Sequence, residues 1–128
     1  MTLSRQHARD VVDTYIRAWT SQDPDLITTV FTEDATYHER VLDAAIERRS
    51  GIRDYWESKV VDAQANISCR LLSLYVDADA DTAIAEWEAR FDDVPQQVRK
   101  VMREVAILEF ENGLIRSLRE YWASRTAL

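Results

Sequence analysis

The chain has 128 residues, of which 46% are apolar, and carries 16 basic against 23 acidic side chains for a formal net charge of −7. That length gives one domain, residues 1–128, with its own core. The acidic balance argues against a nucleic-acid partner, because phosphate binding needs clustered Lys and Arg. Cys69 is the single cysteine, so no internal disulfide forms and a reducing compartment fits. The opening MTLSRQHARD lacks an apolar signal core, and no apolar run approaches membrane-spanning length. The expectation is a soluble, cytoplasmic protein with no membrane partner.

From about Ser4 to Ser21, Ala8, Val12, Tyr15 and Trp19 recur at helical spacing, with Val11 and Ile16 widening the stripe. Asp23-Pro24 then restarts the chain, Asp23 as N-cap and Pro24 at the first helical position, where its missing N–H costs nothing. The short helix that follows is expected to bury Leu26, Ile27, Val30 and Phe31. A short strand runs from Ala35 to about Arg40, and residues 41–49 are a polar loop. Ser50 is the expected cap of a third helix, whose apolar positions are Ile52, Tyr55, Trp56 and Val60.

From Asn66 the pattern becomes β. Ile67 to Val76 is a strand apolar on nearly both faces, and "DADAD" makes a hairpin turn without glycine. Thr82 to Phe91 alternates, with Ala83, Ala85, Trp87, Ala89 and Phe91 on one face. Val98 to Glu111 is a long strand, Asn112-Gly113 is a strong hairpin signal, and Leu114 to about Ala123 closes the sheet. Helices first and antiparallel strands after imply an α+β fold, with helices on one face of a curved sheet.

The stretches "VVDTYIRAWTSQDPDLITTVFTEDATYHE", "SGIRDYW" and "ILEFENGLIRSLREYW", in this order and spacing, resemble the SnoaL-like proteins of the nuclear transport factor 2-like superfamily. The resemblance implies a cone-shaped, mainly antiparallel sheet whose concave face is closed by three N-terminal helices around an apolar cavity. It also implies a homodimer through the convex face, where Val101, Val105 and Ile107 lie beside Arg99 and Arg103. Fold alone does not fix function in such a superfamily.

Against the ketosteroid isomerase branch, the oxyanion-binding tyrosine falls on Tyr15 and the carboxylate base on Glu39. The protonated acid of the penultimate strand falls on Ala106, so that role is missing. Against the epoxide hydrolase branch, the Asp–Arg–Asp set falls on Trp87, Ala89 and Ala123, which removes the chemistry. The resemblance therefore implies a cofactor-free isomerase, cyclase or lyase, with Glu39 as general base and Tyr15 as oxyanion donor. The alternative is a non-catalytic binding or assembly domain.

Strand alternation puts Tyr37 and Glu39 on one face and His38 on the other. A desolvated Glu39 would titrate above the usual carboxylate range and suit a general base. A lip residue paired with Arg40, Arg48 or Arg49 would do nothing chemical. Trp19, Tyr37, Trp56 and Trp87 either line a pocket or fill a core. Met102 shares the inward face of its strand with Glu104, a charge among apolar neighbours. Glu104 is then paired, with Arg119 the preferred partner, or functional. His7, His38 and Cys69 share no ligand spacing, so neither metal nor cofactor is expected, and the partner is a small, largely apolar molecule.

Overall fold

A computed structural model describes residues 2–127. Helix α1 (Arg5–Thr20) starts where Ser4 Oγ accepts the His7 amide at 3.1 Å. It buries Ala8, Val11, Val12, Tyr15, Ala18 and Trp19 along one stripe. Helix α2 (Pro24–Thr28) is capped by Asp23, whose Oδ1 accepts the amides of Asp25 and Leu26, each at 3.0 Å. Strand β1 (Phe31–His38) follows, then the two-residue β2 (Ile46–Glu47) and helix α3 (Arg48–Trp56).

Several boundaries differ from the pattern in the sequence. Strand β1 ends at His38, which leaves Glu39 beyond the strand. The third and sixth strands, Gln64–Asp77 and Leu114–Thr126, run longer than expected. Phe31 opens β1 instead of closing α2, because the polar run Thr32–Asp34 is an irregular stretch of strand where the pairing register slips. Residues 41–49 contain β2, and α3 begins at Arg48, not after Ser50. Glu47 is its N-cap and makes no side-chain capping bond. Arg48 enters with φ of 70°, and Arg49 is anchored by two donations to the Phe31 carbonyl, at 3.2 and 2.8 Å. Tertiary contact thus fixes the helix start where local capping would have placed it later.

Helix α3 continues into a π-helical turn, Glu57–Val61, before β3 (Gln64–Asp77), β4 (Thr82–Asp93), β5 (Val98–Glu111) and β6 (Leu114–Thr126). The Asn112-Gly113 turn has φ of 51° and 81°, the left-handed pair that a tight hairpin requires. Asp81, with φ of 47°, does the glycine's work in the "DADAD" turn.

The six strands form one mixed, unclosed, curved sheet in the order β2-β1-β6-β5-β4-β3. Every pairing is antiparallel except β1 with β6. The three helices pack on one side, α1 against β3 and α3 against β1, with α2 between the other two. On the covered face, Ala83, Ala85, Ala89 and Ala106 are fully buried. These short side chains let the helices approach closely, and Trp87 stands among them. Among the described residues, no helix is long and apolar enough to cross a membrane.

Candidate functional site

Beneath α1 and α3 the sheet carries polar groups that an apolar core would not tolerate unpaired. Tyr15 comes from the buried stripe of α1, Tyr37 from the inward face of β1, and Glu120 from β6, where its register partner is Ala106. Tyr15 and Tyr37 hydroxyls lie 2.6 Å apart. Both reach Glu120 Oε1, Tyr37 through a short hydrogen bond and Tyr15 at 3.2 Å. Glu104 of β5 is 2% exposed and hydrogen-bonds to Glu120 across adjacent strands.

Burial dominates the electrostatics of this cluster. It pushes the Glu104 carboxyl well above the usual range, and the neighbouring Glu120 charge and the shared hydrogen bond add to the effect. Burial also raises Glu120, to about 7, while the bond from Tyr37 works against it. Two neighbouring buried carboxylates cannot both ionise cheaply, so burial and mutual repulsion favour one shared proton on the pair. The Tyr15, Tyr37 and Tyr55 hydroxyls are raised by burial and by the Glu120 charge, and stay protonated as donors.

A cavity of about 30 Å³ opens above the pair, enough for a water molecule or two. Tyr15, Tyr37, Tyr55 and Trp56 wall it, and Glu39, Lys59, Met102 and Trp122 stand around the mouth. Trp19 and Trp56 touch it with their rings. Their N–H groups are bound to protein, Trp19 to Gln64 Oε1 at 2.8 Å and Trp56 to the Ala18 carbonyl at 3.1 Å. Trp87 is not on the wall: it is fully buried behind Tyr15, stacked at 5.0 Å. Its indole nitrogen lies beside the Glu104 carboxyl and favours the ionised form. No aligned hydrogen bond closes, and Trp87 Nε1 and Glu104 Oε2 are both buried without one.

Most of the residues singled out by sequence therefore meet in one place: Tyr15, Trp19, Tyr37, Glu39, Trp56, Met102 and Glu104. Glu39 stands at the rim with a side chain 24% exposed, 4.0 Å from Lys59 Nζ. Its partner is thus a lysine and none of the arginines considered. Arg40 lies over the Trp122 ring, 5.1 Å from its centroid. The expected Glu104–Arg119 pair does not form: Arg119 sits on the opposite face, 2.8 Å from Glu109, opposite Ile107.

The missed residue is Glu120, the hub of the cluster. Its signal was in the alternation of β6, where Leu118, Glu120 and Trp122 share the inward face against Arg119 and Tyr121. Position 106 of β5 is a fully buried alanine, and the buried acid on that strand face is Glu104, two residues earlier. Ala123, matched to an epoxide hydrolase carboxylate, pairs with Arg103 and belongs to the outer face, and no arginine lines the cavity. Burial pushes the Cys69 thiol up to about 12, so it is a packed side chain and not a nucleophile.

Larger hollows lie elsewhere. One of about 440 Å³ is beside Thr28, Arg48 and Arg53, and one of about 270 Å³ beside Leu3, His7 and Phe110. Neither contains a buried carboxyl. Among the described residues, no group of three or more His, Cys, Asp or Glu could hold a metal ion.

An α+β cone with a buried tyrosine–carboxyl cluster between its helices and sheet is the class this geometry defines. The chain belongs to the SnoaL-like domain family, whose model matches residues 12–118. Among solved structures it is similar to the epoxide hydrolase/cyclase-like enzyme SalBIII, which has a role in pyran ring formation in polyether salinomycin. That match has 24% identity and a TM-score of 0.83, over 97% of this chain and 98% of the other. A ketosteroid isomerase-like protein from Catenulispora acidiphila, in complex with trimethylamine, matches at 20% identity and TM-score 0.76, over 88% and 84% of the two chains. An LEH-like epoxide hydrolase from M. tuberculosis matches at 15% identity and TM-score 0.75, over 92% and 84%. At these identities the likeness establishes the fold alone. No curated protein matches the chain.

Proposed function

We propose that this protein is a cofactor-free enzyme of the isomerase, cyclase or lyase kind, moving a proton on a small, largely apolar molecule bound over the tyrosine–carboxyl cluster. The observation that carries this is the convergence of the Tyr15 and Tyr37 hydroxyls on Glu120 in a buried, aromatic-walled pocket. Such a cluster is costly to bury and is a poor way to fill a core.

Tyr15 is the oxyanion donor. Its hydroxyl has a choice of partners, so it turns to a ligand oxygen while Tyr37 keeps Glu120 satisfied. Glu39 is the base, at the rim, where water can carry its proton away. The proton shared by Glu104 and Glu120 keeps the floor from accumulating two negative charges. The activities of two similar proteins, in pyran ring formation and epoxide hydrolysis, belong to the same class of proton-driven chemistry.

One observation favours a non-catalytic binding domain: the cavity of about 30 Å³ is nearly filled by its own aromatic side chains. The experiment that separates the readings is solvent-deuterium incorporation. A panel of small cyclic ketones is incubated with the protein in heavy water, and exchange next to the carbonyl is followed by NMR. Catalysed exchange that falls at least tenfold in Tyr15→Phe and in Glu39→Gln supports the enzyme. No exchange above buffer with any ketone sinks it. The proposal includes a cytoplasmic homodimer formed through the convex face of the sheet.

A further inference from the structure

The floor of the pocket holds more negative charge than the chain's own cations answer. The groups facing Glu120 are Tyr15 from α1, Tyr37 from β1, Glu39 just beyond its end, Tyr55 from α3, Lys59 from the π-helical turn and Glu104 from β5. Lys59 is the only cation among them, and it lies at the rim against Glu39. The Glu104–Glu120 pair keeps one proton between two carboxyls and has no positive group beside it. Glu104 Oε2 is buried and without a hydrogen-bond partner in a side chain 2% exposed on the pocket wall.

The walls above this acid are π faces set at angles to one another. Tyr15 and Trp56 have centroids 5.4 Å apart and planes at 78°. Tyr37 and Tyr55 lie 5.3 Å apart at 44°, and Tyr55 and Trp56 lie 6.4 Å apart at 64°. Rings at these separations are in contact with one another, and together they line the small pocket above the acid, where an aromatic face carries negative quadrupole charge. A buried anion under such a box favours a cation, tolerates a neutral molecule and repels an anion.

We propose that the pocket selects organic cations: a protonated or quaternary amine on an apolar body, its charged head over Glu104 and Glu120 and between the tyrosine and tryptophan rings. This rests on the reading that the pocket is a ligand site, but it does not need turnover. Glu120 then anchors the ligand, and Glu39 at the rim remains the proton acceptor. The head group enters by displacing Met102, an unbranched and partly exposed side chain, and by parting the loose Lys59–Glu39 contact.

Binding and protonation are linked. A cation beside the pair favours its ionised form, so binding below neutral pH expels a proton. Affinity rises from pH 6 to pH 8 and then levels.

The test is titration calorimetry with choline and its uncharged isostere 3,3-dimethylbutan-1-ol, which share a shape and differ by one charge. The expected result is at least tenfold tighter binding of choline. At pH 6.5 its heat should change with the ionisation enthalpy of the buffer, as proton release requires. Glu120→Gln should lower the preference about tenfold, and Glu104→Gln provides a second reading of the same pair should the first variant fold poorly. Equal or tighter binding of the alcohol, or no binding of either compound, overturns the proposal. Cation binding without deuterium exchange on any ketone would keep this inference and remove the enzymatic one; exchange without a cation preference would do the reverse.

Discussion

Two glutamates of the same pocket are held in opposite ways. Glu120 is wholly enclosed, and its folded-state value of about 7 lies above the unfolded value of about 4.3. A carboxyl raised in the fold stabilises relative to higher pH only while protonated. Its contribution is therefore intact below the unfolded value and lost as pH climbs through about 7. The loss is on the order of 4 kcal/mol at most. Glu120→Gln removes the titration, so its melting temperature should gain on the parent at pH 8 and not at pH 5. A variant equally destabilised at both values would mean that the amide breaks the tyrosine contacts and that ionisation is no burden. Glu39 is partly exposed at the rim, and its pair with Lys59 is worth about 1 kcal/mol or less. Thermal melts of Glu39→Gln should stay within that margin. At this scale the sequence was legible for Tyr15 and Tyr37, whose faces follow from helical and strand periods. Glu104 was legible as a charge on an apolar face, but its meeting with Glu120 was not, and Tyr37 reaches Glu120 across 83 positions only through the register of β1 on β6.

The elements themselves were mostly readable, because each carries a local reason to exist. Asp23 is the clearest case: two amide donations to one carboxylate oxygen, followed at once by Pro24. Asp23→Ala should cost about 1 kcal/mol. That should appear as a lower urea midpoint with an unchanged m-value, and an unchanged midpoint would show that packing alone holds α2. Strand β5 and the turn after it follow from alternation and from Asn112-Gly113. The start of α3 did not, because Arg49 spends its guanidinium on a carbonyl of β1 and pulls the chain into helix early. The two-residue β2 is too short to leave a period in the sequence.

For the whole molecule, the proposed dimer depends on the outer face of the sheet. Tyr75, Ile84 and Tyr121 are exposed there at 65%, 40% and 47%. Beside them Val101, Val105 and Ile107 are only half-covered. The arginines considered as bridges to a partner are already engaged within the chain, Arg103 with Glu88 at 2.7 Å and Arg99 with Asp92 at 2.9 Å. Association through this face thus rests on its apolar side chains more than on ion pairs. Light scattering at micromolar concentration should give twice the chain mass. Ile84→Lys combined with Tyr121→Lys should give a folded monomer. A parent that scatters as a monomer ends the dimer proposal.

The single parallel pairing in the sheet governs when the pocket comes into being. Strand β1 is made early and waits for β6, the last strand, before its central edge is satisfied. Until then its backbone groups are unpaired, and Tyr37 has no Glu120 to meet. Hairpins β3–β4 and β4–β5 can close locally, but docking β1 must bring together chain segments far apart in sequence, which makes it a late and slow event. A nascent chain on the ribosome therefore acquires most of its sheet before it acquires any site. In pulse-labelled hydrogen exchange during refolding, the amides of β4 and β5 should be protected ahead of those of β1.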